Sequence, residues 1–85
     1  MEAPKQSVTL SPEQIGELSQ KLSGLRHDTN NHLSLILAAV ELIRRRPETA
    51  LRMWNTLAEQ PPKISEAIAR FTREMEETFH IPPRN

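Results

Sequence analysis

Pro47 constrains the fold more than any other residue, because it divides the chain into two stretches that each repeat apolar residues at helical spacing. Proline cannot continue a helix, since it lacks the amide donor, but it suits the first turn of a new one. Upstream of it, Ser11-Pro12-Glu13-Gln14 is a helix start, with Ser11 as N-cap, Pro12 at the first helical position and Gln14 at the capping-box position. Apolar residues then fall at Ile15, Leu18, Leu22, Leu25, Leu33, Ile36, Val40 and Ile43, mostly three or four apart. That rhythm predicts one amphipathic helix from Pro12 to about Arg45 with a single buried stripe. At 1.5 Å per residue it runs roughly 50 Å. Gly16 and Gly24 weaken it locally without ending it.

Downstream, a second stripe reads Leu51, Trp54, Leu57, Ile64, Ile68, Phe71 and Met75, with Trp54 and Phe71 expected to fill the core. Pro61 and Pro62 interrupt it, and each disfavours helical geometry in the residue before it. The spacing predicts helical segments of about Pro47–Glu59 and Pro62–Phe79, kinked or nearly collinear, folded back antiparallel on the first helix. Residues 1–10 are expected as a flexible arm, 11–80 as the helical domain and 81–85 as a tail. The fold class expected is all-α.

Two long antiparallel helices bury little by themselves, and a chain of 85 residues needs further support. With no cysteine, disulfides and thiolate metal sites are excluded. His27, His32 and His80 are too scattered for a zinc site, so no metal is expected on this chain. Self-association remains: two hairpins pairing as a symmetric homodimer close a four-helix bundle.

Eleven basic and eleven acidic residues cancel, and a pI near 6.8 does not suit binding to nucleic acid through phosphates. Arg44, Arg45 and Arg46 are instead read as cations at a helix C-terminus, where the macrodipole favours them. The Glu74, Glu76, Glu77 group is read as a solvated helix end. No apolar run is long enough for a membrane span, and the first ten residues lack the core of a signal peptide, so a cytoplasmic location without membrane contact is expected.

Within the first helix, LRHDTNNHLSLILAAVELI carries a compact polar group. His27 falls off the apolar line, and Asn31 lies four residues on, so the two share a face. Asn30 and Asn31 are poor helix formers, and carrying both mid-helix is a local cost that invites a functional reason. The bland reading is a chance grouping on a solvated face, with Asp28 and His32, also four apart, forming an ordinary helical pair of about 0.2–0.5 kcal/mol.

This segment resembles the phospho-acceptor box of sensor histidine kinases. That family's dimerisation and histidine-phosphotransfer domain is a helical hairpin that pairs into a four-helix bundle. Its box places an acidic residue after the histidine and Thr or Asn four positions on, here His27, Asp28 and Asn31. Leu33, Ile36 and Glu41-Leu42-Ile43 fill its apolar and terminal positions. Where the family usually has proline, five after the histidine, this chain has His32; where an apolar residue often stands, it has Thr29. The resemblance is strong over residues 25–43, architectural over the second arm and absent in the tails.

The resemblance implies that His27 is the phosphoryl acceptor, with a lone pair available near neutral pH. Asp28 would hold the other ring nitrogen's proton and stabilise the charge that develops on attack. Adjacent helix positions diverge by about 100°, so Asp28 must curl back to do this. Asn31 would orient a water toward phosphohistidine, and Arg26 flanks the phosphate position. The family's ATP-binding domain has no counterpart here, neither in a Gly-rich loop nor in length. ATP and Mg²⁺ are therefore expected only through a partner, and the chain itself is expected to bind no cofactor. The expected partners are a receiver domain, whose aspartate exchanges the phosphoryl group, and a separate histidine-kinase ATP-binding domain. The alternative is a non-catalytic dimeric module that binds and modulates kinases or receivers, with His27 never phosphorylated. A third reading is a helical dimer with no signalling role.

Overall fold

A computed structural model describes residues 2–81. After an irregular arm, helix α1 (Pro12–Arg45) leads through a single 3-10 turn, Pro47–Thr49, into helix α2 (Ala50–Phe79), which returns antiparallel alongside it. α1 starts as its sequence predicts. Ser11 Oγ accepts from the Gln14 backbone N–H at 3.1 Å, and Gln14 Oε1 accepts from the Ser11 N–H at 2.8 Å, so two otherwise orphaned donors are satisfied. Arg44 and Arg45 lie in its last turn, where cations oppose the negative end of the helix dipole. The reversal is tight because Pro47 supplies the 3-10 turn. Thr49, buried there, donates its backbone N–H and its hydroxyl to the Arg46 carbonyl at 2.9 and 2.8 Å.

The second arm departs from the expectation of two segments. α2 runs unbroken through Pro61 and Pro62. Each proline leaves one carbonyl a turn earlier, Leu57 and Ala58, without its helical donor. Both prolines are exposed, so water can reach that stretch of the helix. Continuity survives because the helix is held from the other side: Gln60, the residue before the prolines, is only 3% exposed and is tied across to α1.

α2 ends on His80, which adopts a left-handed backbone (φ 55°, ψ 42°). That geometry lets the Ile81 N–H reach back to the Glu76 carbonyl at 2.9 Å, a Schellman closure that normally uses glycine. Ile81, expected in the tail, is buried. The expectations for the rest of that tail fall outside the described residues.

The interior is sparse. Ala39, Ala67 and Ile81 are the buried apolar residues among those described, and the hairpin measures 57 × 29 × 13 Å, so it is one helix thick. The predicted single stripe on α1 splits in two. Leu18, Leu25, Ile36 and Ile43 are half-buried toward α2, whereas Ile15, Leu22, Leu33 and Val40 are exposed. The reason is geometric. The residues that turn toward α2 follow a seven-residue register (18, 25, 29, 32, 36, 39, 43), and the second set is rotated from it by roughly 70°. Trp54, expected in the core, is 67% exposed for the same reason, while Phe71 is half-buried.

Candidate functional site

Three polar residues placed by the middle of α1 form the candidate site, and the helix sends them in different directions. His27 stands about 180° around the helix from the register that faces α2, so its ring projects into solvent from the outer flank of the hairpin. It lies near the midpoint of α1. Asn31, one turn on, is exposed on the same flank. Asp28 is exposed too, but at the mouth of a shallow groove between the arms that Lys21, Leu25, Arg70 and Phe71 also line.

No hydrogen bond joins His27, Asp28 and Asn31 among the described residues. His27 and Asn31 are therefore brought to one flank, whereas Asp28 is directed to the groove rather than to the imidazole. The Asp28–His32 helical pair, the bland expectation, does not form either. His32 turns inward, and its Nδ1–H donates to Gln60 Oε1 at 2.7 Å across the helix interface. That bond fixes the His32 tautomer and satisfies the Gln60 side chain, which is buried. Of the two histidines in this segment, one is structural and one is free.

The electrostatic setting is mixed. Lys21 approaches Glu74 at 4.0 Å across the open end of the hairpin, and Arg44 pairs with Glu41 at 2.8 Å near the turn. Arg26 is exposed next to His27 and has no salt-bridge partner among the described residues. No three His, Asp or Glu side chains cluster closely enough to hold a metal ion among the described residues. Neither helix is long and apolar enough to cross a membrane.

The Gln60 contact was missed from the sequence, although its signal is present. His32 and Gln60 both sit on the seven-residue register of inward positions, where a polar residue must find a partner on the facing helix. The surroundings of the site include two further exposed leucines, Leu35 and Leu42, which fall around the helix between Asn31 and Asp28.

No family model, no curated protein and no solved structure matches this chain.

Proposed function

We propose that the chain is a phosphotransfer hairpin of two-component signalling, a homodimer that accepts and passes a phosphoryl group through His27. The observation that carries the reading is the free imidazole at mid-helix, exposed on the flank opposite α2, while its neighbour His32 is consumed by Gln60. The segment's resemblance to the histidine-kinase phospho-acceptor box supports the same assignment. In the transfer, the unprotonated ring nitrogen of His27 attacks phosphorus of a receiver's aspartyl phosphate. An N–P bond forms, the O–P bond breaks, and the aspartate carboxylate leaves. The other ring nitrogen's proton is then lost to solvent or to Asp28 after a change of rotamer, and the receiver supplies the Mg²⁺. The reverse reaction returns the group. ATP would enter through an ATP-binding domain that docks as donor.

The test is incubation of the full chain with a phosphorylated receiver, or with a histidine-kinase ATP-binding domain and ATP-Mg²⁺. Acid-labile, base-stable label on wild type and on His32→Gln, but none on His27→Gln, is the expected result. Label that persists in His27→Gln, or absence of label with several such partners, removes the proposal.

A second reading draws on the exposed apolar residues of both arms: a non-catalytic module that docks on kinases or receivers and modulates them. It is distinguished by partner binding that survives in His27→Gln with no label on wild type.

A further inference from the structure

Helix α2 joins two stretches that are held to α1 unequally. Before the proline pair, its inward side chains are Met53, Thr56 and Leu57, all half-buried, and the buried Gln60. Leu51 and Trp54, the large apolar residues nearest the turn, are mostly exposed and add little to that hold. After the pair, Ile64, Ala67, Phe71 and Met75 turn inward, half-buried or buried, and Ile81 is buried just past the helix end. Apolar burial is weighted to the second stretch. The first is fastened at its far end by one polar bond, from His32 Nδ1–H to Gln60 Oε1 at 2.7 Å.

The proline pair favours one particular way of coming apart. In the continuous helix, Pro61 and Pro62 deprive the Leu57 and Ala58 carbonyls of donors and hold Gln60 and Pro61, each of which precedes a proline, in a helical geometry they resist. In a helix that begins at Pro62 neither cost arises. The first amides of any helix have no carbonyl to bond, proline suits the first turn, and Pro61 is free to extend. The stretch before the pair would not persist as helix once detached. Isolated helices shorter than about 12–15 residues are marginal in water. Ala50–Gln60 is shorter than that and carries Asn55 and Thr56, both poor helix formers.

We infer that residues 50–60 form a flap that detaches from α1 and melts as a unit while residues 62–79 stay docked, and that the His32–Gln60 bond is the latch holding it shut. Opening relieves both proline costs. It gives up the latch and the burial of Met53 and Leu57, and water takes over the Gln60 amide. The turn is not dismantled, because Thr49 bonds the Arg46 carbonyl within the turn itself. Opening uncovers Ile36, Ala39 and Ile43, the inward positions of α1 nearest the turn. The closed hairpin hides that apolar strip, so the latch decides when another surface can reach it. His27 lies outside the flap, and the device does not draw on the phosphotransfer assignment.

Amide exchange followed by nuclear magnetic resonance in the full chain, at one protein concentration, tests the flap. Protection at Trp54–Glu59 is expected to lie at least about tenfold below that at Ala67–Met75. Pro61→Ala with Pro62→Ala, which removes the preference for a helix start at position 62, is expected to bring the two stretches within about threefold of each other. Equal protection in the wild type, or a gap that survives the proline replacements undiminished, overturns the flap. The latch is read by Gln60→Ala, expected to lower protection at Trp54–Glu59 by about tenfold; unchanged protection there overturns it. Because the chain has no cysteine, a thiol at Ala39→Cys reports on the strip beneath the flap. Its alkylation by iodoacetamide is expected to slow about tenfold when both prolines are replaced, and an equal rate in the two backgrounds overturns the uncovering of that strip.

Discussion

His32 and His27 show how position on a helix decides what one residue type does. His32 sits on the inward register and becomes the hydrogen-bonded partner of Gln60; His27, five residues earlier, has no hydrogen-bond or salt-bridge partner among the described residues. His32→Ala leaves a buried amide oxygen unsatisfied and is expected to cost about 1–3 kcal/mol in chemical denaturation. The pair replaced together, His32→Leu with Gln60→Leu, should recover most of that loss, and a double variant as unstable as the single would show that the bond is not the cause. At the end of α2, His80 holds a left-handed backbone that a side chain resists. His80→Gly is expected to stabilise the fold by about 1 kcal/mol, read as a raised unfolding midpoint. An unchanged or lowered midpoint would mean that the Schellman closure contributes little in solution.

The two helices differ in how openly their sequences declare them. α1 was legible from end to end: the capping box, the apolar rhythm and Pro47 fix both boundaries. α2 was not, because the two prolines carry a local preference against helix that long-range packing overrides. Pro61→Ala with Pro62→Ala restores two donors and is expected to stabilise the hairpin by about 3 kcal/mol or more, with slower amide exchange at the restored positions and their neighbours. Faster exchange there would contradict a continuous helix. The split of the α1 stripe was equally hidden. Residues three or four apart satisfy both a broad amphipathic face and a narrow seven-residue seam, and only the position of the second helix separates Leu18 and Leu25 from Ile15 and Leu22. At the candidate site, the exposure of His27 followed from its angle off the apolar line, whereas the divergence of Asp28 follows from adjacent positions turning about 100° apart.

At the scale of the molecule, a slab 13 Å thick encloses a small interior, which the proposed homodimer would enlarge. Stability should therefore depend on protein concentration. A hundredfold dilution is expected to lower the thermal midpoint by several degrees, because folding and pairing are linked. Leu33→Ser or Trp54→Ser should shift the monomer–dimer equilibrium toward monomer in sedimentation. His27→Gln, on the far flank, should leave it unchanged, and equal effects of all three would place the interface elsewhere.

The uncovered apolar flank has a cellular corollary. On the proposed homodimer, a newly made chain without company would offer proteases two loosely held helices, so its survival would be a matter of meeting another chain before being degraded. Scarcity would hasten turnover and abundance would slow it, making dosage itself a threshold for this protein.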